Sequence, residues 1–277
     1  MLEAQAHTEP IPSATTVLLR KGGDGFEVLL VERPKTASFM PGAHVFPGGA
    51  VEEADQAPEL AEHLDGPPDE ELLKALGPSE CSDASFARAI YVAALRELFE
   101  ESGIFLGRRP SKALPQEGGF FTLLKRAGWR PDLKRLLPLA RWITPAVERR
   151  RYDARFFLAL IDEEEAKDLC PSEESQGALW LSPARACALY RAGAITLPPP
   201  TLRTLEHLAR FESAEAAIEA TRLHPPPLVC PLFHQSPAGP ILALPGDPLH
   251  PESKPAFPGP TRLVLKDGRW SSESPPL

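Results

Sequence analysis

The run Arg96-Glu97-Leu98-Phe99-Glu100-Glu101-Ser102-Gly103-Ile104 closes a helix expected over Asp83 to Ser102. Asp83 is a residue type that caps helix N-termini, and Gly103 tolerates the left-handed backbone that ends them. On a 100° wheel Tyr91, Val92, Leu95, Leu98 and Phe99 share one side while Glu97, Glu100 and Glu101 share the other, so one face is core and one is acid. Carboxylates at i, i+3 and i+4 stand about 5–6 Å apart at Cβ and repel without a counter-ion. Hard oxygen ligands of this kind suit Mg²⁺ or Mn²⁺, ions that bridge and neutralise phosphates. By charge pattern alone, a solvated acidic face is the commoner explanation.

Upstream, Pro41 to Gly49 reads PGAHVFPGG, too rich in breakers for a helix. It is expected to be a loop whose paired glycines let backbone approach a ligand or metal closely. Before it, Ala14 to Arg20 and Phe26 to Arg33 are β-rich runs joined by Gly22-Gly23-Asp24-Gly25, a hairpin pattern. Between loop and helix, Glu52 to Ser82 is acidic and interrupted by proline and glycine, as expected of an insertion of short helices joined by turns. Downstream, strands are expected at Arg135 to Ile143, Arg151 to Ile161 and Ala178 to Leu181. Helices are expected at Gly119 to Ala127, Pro183 to Ala192, Pro199 to Phe211 and Ala214 to Thr221. Strands and helices mix without a regular βαβ repeat, which points to an α+β sandwich rather than a doubly wound sheet.

The chain has 277 residues with ordinary apolar and charged content, which excludes wholesale disorder, coiled coil and collagen. Its anomaly is proline: of 33, fourteen fall between His224 and Leu277. That stretch is expected to be extended and packed along the surface or loose, ending in a hairpin from Arg262 to Leu265 that turns at Lys266-Asp267-Gly268 towards Trp270. A net charge of −8 argues against a surface built for nucleic acid. The longest apolar stretch, Phe156 to Ile161, is far short of the ~20 residues that cross a bilayer. Cys81, Cys170, Cys187 and Cys230 form no CxxC pair, so neither a zinc site nor a disulfide framework is indicated. The C-terminal Pro-Pro-Leu is unlike a peroxisomal SKL tripeptide, and a cytoplasmic location is expected.

At every defined position, Arg96 to Ile104 resembles the helix half of the Nudix box, REUxEExGU. The loop half, GxxxxxE, fits Gly49 to Asp55 with aspartate in place of glutamate. The 40 residues Gln56 to Leu95 stand where the common box has a short spacer. A box split at this point resembles the coenzyme A diphosphatase subfamily of the peroxisomal type. Leu29-Leu30-Val31-Glu32-Arg33-Pro34, Gly42 and Phe46-Pro47-Gly48-Gly49 also resemble the coenzyme A signature LLTxR(S/A)xxxRxxxGxxxFPGG. Val31 stands for its threonine, Pro34 for its serine or alanine, and Ser38 for its second arginine.

The resemblance implies an α+β fold, the Nudix α/β/α sandwich with a mixed sheet. The corresponding division is a Nudix domain over residues 12–222, a helical insertion at 56–88 within it, and a Pro-rich C-terminal extension over 223–277. The insertion is expected to fold back outside the catalytic loop, leaving Gly48-Gly49 beside Glu97 to Glu101, since loop-closure entropy grows only logarithmically with length. The implied reaction is Mg²⁺- or Mn²⁺-dependent hydrolysis of coenzyme A or acyl-coenzyme A to 3′,5′-ADP and an (acyl) phosphopantetheine. Glu97, Glu100 and Glu101 match the metal-binding positions, with the Gly48 carbonyl a further candidate ligand. Arg96 matches the residue that orients the glutamates, and one of the glutamates acts with water as base.

Glu173 and Glu174 precede Trp180 where Nudix enzymes often carry a mobile glutamate, so Glu174 is a candidate base. Arg33, Phe46, Gly49 and Arg155 are candidate substrate contacts; Arg155 belongs to a cluster with Arg149, Arg150 and Arg151 that fits either phosphate or a solvated basic edge. His44, Phe39 and Met40 are weaker candidates for touching substrate. The expected partner is a small nucleoside-diphosphate compound, coenzyme A-like, with no nucleic acid and no membrane; a homodimer stays open. Two rivals remain: hydrolysis of ADP-ribose, NADH or another nucleoside-diphosphate derivative, and a non-catalytic Nudix-fold binding module.

Overall fold

The structure, a computed structural model, describes residues 8–23, 25–36, 40–77, 83–110, 119–171, 177–237 and 239–275. Strand β1 (Ile11–Gly22) turns through the glycine joint into β2 (Gly25–Glu32), the expected hairpin, with Leu19 opposite Val28. The 41–49 segment is not wholly loop: β3 (His44–Val45) pairs with β2, and β4 (Gly48–Ala50) pairs with β1. Its prolines and glycines keep these strands short rather than abolishing them.

A 3-10 turn, Glu53–Gln56, leads into the insertion, whose described residues include a two-turn 3-10 helix, Pro58–His63, and helix α1 (Asp69–Ala75); α2 (Ala84–Ser102) follows. Asp83 caps α2 by accepting the Ser85 N–H, and Gly103 ends it at φ 75°. Residues 84–88, the end of the expected insertion, form the first turn of α2. Leu60, Leu64, Leu72 and Leu76 of the insertion bury against Ala87, Ile90 and Tyr91 of α2. An Asp69–Arg88 ion pair ties α1 to α2.

Beyond α2 come β5 (Gly107–Arg108), α3 (Phe120–Ala127), β6 (Arg130–Pro131), β7 (Leu137–Ile143), β8 (Tyr152–Ile161) and α4 (Glu163–Ala166). Then follow β9 (Ala178–Leu181), α5 (Pro183–Arg191), α6 (Pro199–Leu208), α7 (Ala214–Arg222) and β10 (Leu228–Val229). The main sheet runs β10-β7-β8-β1-β2-β3, with β4 on β1 and β9 on β2, and mixes parallel pairs (β1 with β8, β10 with β7) and antiparallel ones.

Residues along β1 alternate between two cores. Ala14 and Leu18 face the cluster built by α2, α3 and the insertion, whereas Val17 and Leu19 face that of α5, α6 and α7. Helices thus cover both faces, an α/β/α sandwich. No helix among the described residues is long and apolar enough to cross a membrane.

The extension is not the extended or loose tail expected from its prolines. It forms a second antiparallel sheet of β11 (Leu232–Ser236), β12 (Gly239–Ala243), β13 (Arg262–Lys266) and β14 (Arg269–Glu273). The β13–β14 turn lies where the sequence placed it, with Asp267 at φ 50° and Gly268 at φ 74°. Leu242, Leu244, Phe257 and Leu263 join the second core, and the Tyr190 hydroxyl donates to the Trp270 carbonyl at 2.8 Å. The prolines fall mostly between these strands, where they interrupt no ladder.

Candidate active site

Arg96 lies 3% exposed on α2. Its Nε and Nη2 donate to Asp55 Oδ1 and Oδ2 at 2.8 and 2.9 Å. Nη2 also donates to the Ala50 carbonyl at 3.0 Å, and Nη1 reaches Glu97 at 2.7 Å and Glu100 at 3.0 Å. One guanidinium thereby joins the glycine strand β4, the start of the insertion and two of the three acidic positions. Burial opposes the Arg96 charge, but Asp55 and the two glutamates hold its pKa above the ordinary value.

Burial pushes the carboxyls of Glu97 and Glu100 upward against the lowering influence of Arg96. Carboxylates kept short of water in this way gain from a cation beside them.

Glu101 turns to the glycine loop, where the Gly48 N–H donates to its Oε2 at 3.1 Å. A Cβ added at Gly49 would collide with the Glu97 carboxylate, so only glycine lets the strand lie this close. Gly48 and Gly49 therefore stand against Glu101 and Glu97 despite the insertion, as expected. Among the described residues, no three His, Cys, Asp or Glu side chains converge in metal-ligating geometry. The donors are nonetheless oxygen-only carboxylates, two of them, Glu97 and Glu100, with raised pKa, a set that suits a hard divalent cation.

The other predicted residues distribute unevenly. Arg33 follows β2 directly; its N–H donates to the Ala43 carbonyl at 2.9 Å and its own carbonyl accepts from Gly42, where φ is 69°. Phe46 is corrected: it is 2% exposed in the second core, edge-on to Phe156 at 6.3 Å, and offers substrate no surface. His44 points to that same side, its pKa lowered by burial. Arg155 is buried on β8, paired with Asp153. Glu173, Glu174, Ser38 and Phe39 lie outside the described residues. Sequence reading passed over Arg141 and Asp153, although Asp153 stands two residues from Arg155 and so shares its face of the strand.

The family model described as NUDT19 Nudix domain matches residues 2–208. The chain belongs to this Nudix family. A Gallus gallus relative, "Acyl-coenzyme A diphosphatase NUDT19", is 28% identical, the match covering 91% of this chain and 82% of the relative. The Homo sapiens protein of the same name is 31% identical over 69% of this chain and 62% of its own length. A Nudix hydrolase structure from Alicyclobacillus acidocaldarius superposes with a TM-score of 0.61 at 29% identity, covering 77% of this chain and 97% of that one. The chain is thus a Nudix pyrophosphohydrolase.

Proposed function

We propose that the chain hydrolyses the diphosphate linkage of coenzyme A or an acyl-coenzyme A, releasing 3′,5′-ADP and a phosphopantetheine. What carries the reading is the kept spacing of Arg33, Gly42 and Phe46 to Gly49, which leads a coenzyme A-type signature straight into the loop that meets Glu97 and Glu101. The names borne by the Gallus gallus and Homo sapiens relatives support it.

Glu97, Glu100 and Glu101, with the Gly48 carbonyl, would hold Mg²⁺ or Mn²⁺. When bound, such an ion neutralises diphosphate oxygens and lowers the pKa of a water. Arg96 aims Glu97 and Glu100, and Asp55 keeps Arg96 charged and fixed. The Gly48 N–H orients Glu101, and the missing side chain at Gly49 leaves Glu97 its place. Glu97 or Glu174 takes the proton from the attacking water, and Arg33 and Arg155 hold phosphate oxygens. The hydrolase unit is assigned to residues 12–222, with the insertion at 56–88 and the extension at 223–277.

The test is a substrate panel with Mg²⁺ and Mn²⁺: coenzyme A, dephospho-coenzyme A, ADP-ribose and NADH, compared by kcat/KM. Coenzyme A is expected to lead. Better cleavage of ADP-ribose or NADH would replace this reading with a broader nucleoside-diphosphate hydrolase.

A further inference from the structure

Of the eight large apolar side chains that stand exposed among the described residues, five belong to one stretch and the loop anchored to it: Leu223, Leu228, Leu232, Phe233 and Leu249, between 36% and 75% exposed. The first four lie on the run from the end of α7 through β10 to β11. Leu249 joins them because its neighbour His250 donates from Nε2 to the Cys230 carbonyl at 3.0 Å, while the Nδ1 of that ring accepts the Glu252 N–H. The stretch also lacks charge: residues 223–246 hold no Asp, Glu, Lys or Arg, in a chain of which 25% is charged.

Strand β11 pairs only with β12, so its outer side carries no neighbouring strand among the described residues. Natural sheets guard such edges with charged side chains. The opposite edge of this sheet does so, since β14 carries Arg269 and Glu273, whereas β11 reads Leu-Phe-His-Gln-Ser. Side chains on a strand alternate between faces. Phe233 stands opposite Leu242, on the face that packs on the second core, and Leu232 stands opposite Ala243, on the other face. A partner lying on either face would leave one of the two in water. A strand added along the edge covers both and continues the ladder.

We propose that β11 is the contact edge of a homodimer, in which two copies pair β11 antiparallel about a two-fold axis and join their four-stranded sheets into one, with Leu228 and Leu249 at the rim. A second copy is the fitting occupant because an antiparallel strand edge is complementary to itself under a two-fold, which gives a closed, isologous interface. Charge favours it too: the contact offers nothing to a partner of opposite sign, and despite a net charge of −8 two copies meet here with no like charges facing each other. Pro231 and Pro237 bracket the strand, and having no N–H to donate they confine the ladder to the residues between them.

The experiment is sedimentation velocity over a dilution series starting at about 10 μM, where an interface of micromolar Kd is mostly formed. Peptide-level hydrogen–deuterium exchange over the same series follows the β11 amides. The native chain should sediment as a dimer at the highest concentration, and dilution should strip protection from β11 while β8 keeps it. Leu232→Lys and Phe233→Lys should each raise Kd at least about tenfold, with turnover per chain unchanged. Leu179→Lys, on the β9 edge of the main sheet, should leave the dimer intact. A native monomer at the highest concentration, a dimer that survives both β11 substitutions, or one that Leu179→Lys breaks as readily overturns the proposal. Native β11 amides whose exchange ignores dilution overturn it as well, whether or not the variants fold.

Discussion

Asp55 holds Arg96 through both of its carboxylate oxygens, at 2.8 and 2.9 Å, although 41 positions of chain separate the two. The Asp55 side chain is wholly buried, so this pair ties the first turn after the glycine strand to the helix that carries the acidic face. Removing one partner of a buried pair leaves an uncompensated charge, typically costing about 3–5 kcal/mol. Asp55→Ala is therefore expected to lower the melting temperature strongly and to depress turnover by freeing Arg96 from its aim. A melting curve coincident with the native one would show that the pair holds nothing together.

Glu101→Gln keeps the size of the side chain, and its amide oxygen can still accept the Gly48 N–H. The fold should survive while turnover falls on the order of 10²-fold or more, because charge stabilisation worth several kcal/mol at the metal is lost. A well-folded variant with near-native turnover would remove Glu101 from the ligand set.

The two glycines should respond differently to alanine. At Gly49 the added methyl meets the end of the Glu97 side chain, which can move, so kcat should fall at least about tenfold with little change in melting temperature. At Gly48 it meets the Ala14 carbonyl and the Thr15 backbone, so β4 must shift against β1 and stability should suffer first. Equal thermal losses for the two variants would contradict this division.

His207 on α6 lies between the rings of Phe211 and Phe257. Burial, with Arg210 and Arg203 nearby, brings its pKa down to about 4 from 6.5. Between those values the unfolded chain takes up a proton that the folded chain refuses. Stability contributed here is complete above pH 6.5 and declines as pH falls towards 4, by at most about 1.4 kcal/mol per pH unit. Denaturant unfolding at pH 7 and pH 5 should show the native chain losing more than His207→Leu; parallel losses would disprove the assignment.

Much of this arrangement is legible in the sequence because local rules and the box agree. Asp83 and Gly103 frame α2, the glycine joint makes the hairpin, and Ala178 to Leu181 is a strand from end to end. What escapes is tertiary. The prolines after His224 argue for an extended tail, yet Leu242, Leu244 and Leu263 have a core to bury against, and that burial organises a sheet. Phe46 sits in a motif that suggests substrate contact, but its parity with His44 on β3 turns it to the core. Arg141 lies in a different strand from Arg155, and only the register between β7 and β8 brings the two to one carboxylate.

The most direct measurement is product analysis by mass spectrometry after incubating the chain with coenzyme A and Mg²⁺ or Mn²⁺, with Glu101→Gln as the control. Equimolar 3′,5′-ADP and 4′-phosphopantetheine are expected from the native chain, with a loss of both in the control. Intact coenzyme A after incubation with an active preparation that cleaves ADP-ribose, or products formed equally by Glu101→Gln, would contradict it.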